Sequence, residues 1–308
     1  MHLLSQFLIL QSVLLLFTAG SNSNHLQQRP FLLDDIAGRI LNAQDFNTPG
    51  GVGVAVVQKT PESGWRVETK GYGLAKVDGT RVTEDTLFGI GSNSKLFDVL
   101  ATGLLISNSS LSPRISWDLK IASFVPEWKL MDPTASSQTT IQDVMSHRTG
   151  MPRHDFIFPS DTVPDIYNNH MYTLLSYFPP LLTGIPFEIY VNDFILKPLG
   201  MNSTTYFSKT AVESGHLADG MGRDGVNQTE DVFGLGRVRA YPFWAPNEGN
   251  PGNVLSGLGG FISNVKDMEI WLQTLLGEGR HPADGETVIP EDVIRRVASG
   301  VTIAIPAA

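Results

Sequence analysis

The chain has 308 residues with no cysteine, and 31 acidic against 22 basic side chains leave a net charge of −9. This balance argues against a nucleic-acid binder and against a polybasic membrane patch, and the missing thiols exclude a disulfide framework, thiol catalysis and cysteine-ligated zinc. With 42% hydrophobic and 17% charged residues, the length suffices for a large core in one sizeable domain or two.

The run from Leu8 to Phe17 is apolar and of signal-peptide length, and the small residues Thr18, Ala19 and Gly20 follow it. Residues 1–20 are therefore expected to be a signal peptide cleaved near Gly20, and the product to be secreted with no stable membrane span. An uncleaved anchor is the alternative, because the usual charged start is missing and only His2 stands there. Three sequons, at Asn108, Asn202 and Asn227, would accept glycans in a eukaryotic secretory pathway.

A helix is expected near Leu32–Leu41, followed by strands over Gly51–Gln58 and Trp65–Lys70 that form a hairpin with an open edge. An apolar helix then begins near Ser92. Residues from about 106 to 250 read as a helical lobe with loops. The two glycines and one proline of 249–253 mark a boundary, and Ser263–Leu276 returns to helix.

Ser92 and Lys95 stand three residues apart at the mouth of the apolar helix, so they share one face and the amine can reach the hydroxyl. The preceding Leu87-Phe-Gly-Ile-Gly carries two glycines that allow backbone to approach a ligand. Ser263 and Lys266 repeat the spacing, but they open an amphipathic helix and read as a capped, structural pair. Ser92 is thus the candidate acyl acceptor. Tyr167 and Asn169 follow a polar loop: the phenol would serve as a base once a cation such as Lys95 stabilises its phenolate, and the amide would orient a substrate carbonyl. Tyr190-Val-Asn192 lies in an apolar helical run and reads as packing. His147, His154 and Asp155 match no metal-ligand spacing, and no Gly-x-Ser-x-Gly elbow surrounds Ser92.

Together these segments resemble the serine β-lactamase-related family, the group of class C β-lactamases, D,D-peptidases and esterases. Thr48–Val57 is similar to its first strand, Leu87–Lys95 to its nucleophile segment, and Thr140–Pro152 to the signature that follows. Tyr167–Asn169 resembles its Tyr-x-Asn element, and Ile195–Met201 and Ser256–Asp267 resemble two later segments.

The resemblance implies an α+β fold over residues 21–308, an antiparallel sheet flanked by helices beside an all-helical lobe. The site would lie in the groove between them. It further implies that Ser92 is the nucleophile, that Lys95 and Tyr167 share acid-base work, and that Asn169 helps place substrate. The reaction would be acyl transfer from an ester, amide or lactam donor to water or a small acceptor, without metal or organic cofactor. The family's late Lys- or His-led Thr/Ser-Gly triplet is not matched. The chain stops at Ala308, where the family's C-terminal strands would begin, so those strands are expected to be missing. A non-catalytic protein or truncated product that keeps the scaffold is the alternative to an active hydrolase or acyltransferase.

Overall fold

The computed structural model describes residues 50–60, 64–151, 167–225, 236–241 and 250–301. The signal-peptide segment, the helix expected at 32–41, His154, Asp155 and Asn227 lie outside the described residues.

The valine-rich stretch folds as β1 (Gly51–Thr60), paired antiparallel with β2 (Gly64–Gly73) in a register running from Gly51 opposite Gly73 to Thr60 opposite Gly64. Both strands are longer than the sequence pattern predicts. The left-handed φ of Gly64 and Gly73 lets backbone turn at each end of β2 without a side-chain clash. A second short pair joins β3 (Phe88–Gly89) to a late strand over Ile262–Ser263.

Helix α1 (Ser94–Ser107) follows the Ser92 turn and is almost entirely buried. Its length is apolar enough to serve as a central rod, and several of the later helices pack against it. Asp132 and Thr140 cap α2 (Pro133–Gln138) and α3 (Ile141–Met145), the latter through a reciprocal capping box with Asp143. Beyond residue 167 come α4 (His170–Ser176) and α5 (Phe178–Thr183). Pro179 and Pro180 separate these two helices, as the sequence suggests. Pro179 sits in the first turn of α5, where its missing donor costs nothing. Helix α6 (Phe187–Val191) runs through a π turn over Asn192–Leu196 into α7 (Lys197–Leu199), and Gly200 ends the run in a left-handed cap.

Helix α8 (Ser208–Glu213) precedes a hairpin of β4 (Gly220–Arg223) and β5 (Val238–Tyr241), so the stretch expected to be helical also carries two strands. The last described elements are α9 (Ser256–Gly259), β6 (Ile262–Ser263), α10 (Val265–Leu276) and α11 (Glu291–Val297). Ser263 does not open α10, contrary to the sequence reading. It pairs with Phe88 in β6, which keeps it extended, and Asn264 takes the cap by accepting from Asp267 N at 2.9 Å.

A lone hairpin is marginal in water, but α10 lies across β1 and β2. Gly53 makes this possible, since a methyl at its Cα would come within 2.7 Å of Val265. The same helix carries Trp271, which stacks on Phe97 of α1 at 4.1 Å, and Phe97 stacks in turn on Phe261 at 4.1 Å. This fully buried trio couples the sheet side to the helical side, and Phe261 bonds through its backbone to Ile90 and Ser94 on either side of Ser92.

Candidate active site

Gly91 has φ +53, a conformation that favours glycine, and it starts the single 3-10 turn Gly91–Asn93. Three bonds lock that turn. Ile90 N donates to Phe261 O at 2.9 Å, and Ser94 Oγ donates to Gly91 O at 2.7 Å while accepting from Phe261 N at 3.1 Å. Ser92 is consequently exposed, while Lys95, one turn on, is only 6% exposed.

Lys95 Nζ donates to Ser92 Oγ at 3.1 Å and to the carbonyl of Leu258 at 2.7 Å. Tyr167 OH donates to the same Ser92 Oγ at 2.7 Å. The lysine nitrogen also lies 4.9 Å from the Tyr167 ring centroid and 5.2 Å from that of Tyr172, within cation–π range. Ser92, Lys95 and Tyr167, 75 residues apart at the extremes, thus meet at one oxygen.

Tyr167 is held from behind. His147 adopts φ +58 and sets its ring 4.5 Å from that of Tyr167. Its Nδ1 accepts from Asn168 N at 3.0 Å, so that nitrogen carries no proton. Asn168 is fully buried; its amide donates to Met151 O at 3.1 Å and its Oδ1 accepts from Met171 N at 3.3 Å. Asn169 is half-buried just ahead of α4, and its backbone carbonyl accepts from Tyr172 N at 3.0 Å. The neighbouring Tyr172 donates to Met145 O at 2.7 Å, and burial, reinforced by Asp98, pushes its phenol well up. It stays neutral, which leaves Tyr167 as the phenol that faces the serine.

Three sets of contributors escaped the sequence reading. The carbonyl of Leu258 positions Lys95, and its only signal was the glycine run around it. His147 and Asn168 brace Tyr167, although nothing in their spacing announces it. Glu188 is the third: 1% exposed, it accepts from Gly252 N and Asn253 N at 3.1 Å and from Ser256 Oγ at 2.5 Å. That carboxylate clamps the turn leading into α9, the helix that carries Leu258. An isolated acid in an apolar helical run was its signal. Glu188→Gln puts an amide donor against these N–H groups and is expected to cost about 1–3 kcal/mol, read as a lowered thermal midpoint.

The competing motifs land elsewhere. Ser263 is buried against Thr204 Oγ1 at 2.8 Å while Lys266 pairs with Asp85 at 2.7 Å on the surface, so this pair builds no nucleophile. Tyr190 packs on Phe194 with ring centroids 4.5 Å apart, and burial pushes its phenol up to about 12. Among the described residues no three His, Cys, Asp or Glu side chains gather as metal ligands, and no helix is long and apolar enough to cross a membrane. Asn108 and Asn202 are both exposed.

The family model described as Beta-lactamase matches residues 43–298. The Unguisins hydrolase ungD' of Aspergillus campestris is 33% identical over 73% of this chain and 44% of its own length. The Unguisins hydrolase ungD of Aspergillus violaceofuscus is 30% identical over 73% and 42% respectively. The chain therefore spans less than half the length of these curated relatives. In fold it is similar to the octameric penicillin-binding protein homologue from Pyrococcus abyssi, with a TM-score of 0.65 and 21% identity, over 89% of this chain and 60% of that one. The mixed antiparallel and helical architecture and a family model matched over residues 43–298 lead to one conclusion: the chain belongs to the beta-lactamase family.

Proposed function

We propose that this chain is a serine hydrolase that cleaves an ester or amide through an acyl-enzyme on Ser92. The observation that carries this reading is the exposed Ser92 Oγ bound at once by Lys95 Nζ at 3.1 Å and Tyr167 OH at 2.7 Å. The Lys95 ammonium favours a phenolate on Tyr167, which takes the Ser92 proton as Oγ bonds to the substrate carbonyl carbon. The C–O or C–N bond then breaks, and Tyr167 returns the proton to the leaving group. Water, activated by the same phenol, releases the acyl group and restores the serine. Asn169 is assigned to placing the substrate carbonyl. An alcohol or amine in place of water turns the same intermediate to acyl transfer. Two relatives named as hydrolases support water as acceptor. Export through the leader at residues 1–20, with glycans on Asn108, Asn202 and Asn227, belongs to the same reading.

The test is the intact mass of the natively expressed, deglycosylated protein before and after a fluorophosphonate, with the adduct site mapped. One adduct on Ser92 is expected. No adduct on a folded chain would replace this reading with a scaffold that does no chemistry.

A further inference from the structure

Helix α4 turns Tyr172 toward Lys95 and lays Met171, Leu174 and Tyr177 along a cavity of about 900 Å³ among the described residues. Trp128, Phe187 and Val254 form its other walls. The polar groups of this lining are turned back into the protein. Trp128 Nε1 donates to Ser136 O at 2.8 Å, Thr173 Oγ1 to Val254 O at 3.1 Å and Ser176 Oγ to Thr173 O at 2.9 Å. Asn253 Oδ1 accepts from Leu255 N at 2.8 Å, and the Glu188 carboxylate is held by Gly252 N, Asn253 N and Ser256 Oγ. A polar occupant would lose its water here without replacement, whereas an apolar one gains by burial.

One end of this cavity adjoins the segment that carries Tyr167. His170 and Met171, the two residues after Asn169, line it, and so does Met151. Met151 O accepts from the buried Asn168 amide at 3.1 Å, and Met171 N donates to Asn168 Oδ1 at 3.3 Å. Both walls at that end are thus bonded to the residue between Tyr167 and Asn169. From there the seven residues of α4 carry the lining about 10 Å further, to Tyr177. The volume suits a sizeable organic group. Tyr177 and Val254 leave 41% and 65% of their surface in water, apolar area that an occupant covers. We propose that this cavity is a substrate subsite for a bulky aromatic or long aliphatic group, and that the acyl donors cleaved at Ser92 carry such a group on their acyl portion. With Asn169 on the substrate carbonyl, the acyl substituent is the part that extends past it to His170 and Met171.

The proposal rests on the reading of Ser92 as nucleophile and Asn169 as carbonyl partner, but one arm of its test does not. That arm is calorimetric binding of naphthylacetamide to the Ser92→Ala protein, expected at one site per chain. Adding Val254→Glu, which sets a carboxylate in the apolar wall, is expected to weaken binding by about tenfold or more. Val254→Trp, which fills the cavity from the same exposed position, should weaken it likewise. No binding to the folded protein, or equal binding to both variants, overturns the cavity as a site, whatever the serine does. The second arm is the ratio of kcat/KM for p-nitrophenyl naphthylacetate to that for p-nitrophenyl acetate. It is expected to be about tenfold or more in the wild type, carried by KM, and to collapse in Val254→Glu. A ratio near unity in the wild type, with binding intact, overturns the assignment as a substrate subsite. Release of nitrophenol from neither ester overturns the reading of Ser92 and the subsite with it, and leaves the cavity a binding site for the naphthyl group alone.

Discussion

Lys95→Ala is expected to slow covalent labelling of Ser92 by about 10²–10⁴, the usual worth of a positioned acid-base partner. Tyr167→Phe falls in the same range, and Ser92→Ala abolishes the adduct. Among the described residues, Lys95 Nζ and Tyr167 OH are the donors to Ser92 Oγ, and Lys95 is the one that brings a positive charge to that oxygen. Removing it leaves the phenol without the field that favours its base form. The double variant Lys95→Ala with Tyr167→Phe should be little slower than either single one, because groups that act as a unit are not additive. Lys95→Arg should not rescue, since a planar, bulkier guanidinium does not fit the place where Lys95 Nζ bonds both Ser92 Oγ at 3.1 Å and Leu258 O at 2.7 Å. Stopped-flow or gel-based labelling rates on variants with unchanged circular dichroism measure this. A Lys95→Ala rate within threefold of wild type would remove the lysine from the mechanism, "threefold" here being roughly the noise of context-dependent effects.

The second large effect is on stability. Phe97→Ala should cost about 3–5 kcal/mol, because the ring is fully buried and stacked on both Phe261 and Trp271. Neither neighbour can collapse into the gap: Trp271 is held by α10 across the β1–β2 hairpin, and Phe261 bonds through its backbone to Ile90 and Ser94. At about 2–4 °C per kcal/mol for a chain of this size, the thermal midpoint should drop steeply. Phe194→Ala serves as control, since that ring is 45% exposed and packs on Tyr190 at the surface, and its loss should stay below about 1.5 kcal/mol. Equal shifts for the two would mean that the aromatic trio is not the junction of the two sides.

Much of the site was legible because it is local. Ser92 and Lys95 are three residues apart, in a 3-10 turn and the α-helix that continues it, and helical spacing alone brings amine and hydroxyl together. The apolar spacing of α1 likewise foretold its burial, and the valine-rich stretch foretold β1. The Ser263 cap was misread for the opposite reason: a strand partner 175 residues earlier, Phe88, holds Ser263 extended and passes the cap to Asn264. No local pattern records such a partner.

The sequence by itself therefore determined the family, from the order of its segments, and the helix that presents Ser92 and the pairing of that serine with Lys95, from short-range spacing. Only the tertiary structure decided that Tyr167 reaches Ser92, that the Leu258 carbonyl holds Lys95 and that Glu188 clamps the turn behind it. Those three relations join residues from different elements, and packing around the Phe97, Phe261 and Trp271 stack, rather than any local propensity, sets the distances between them.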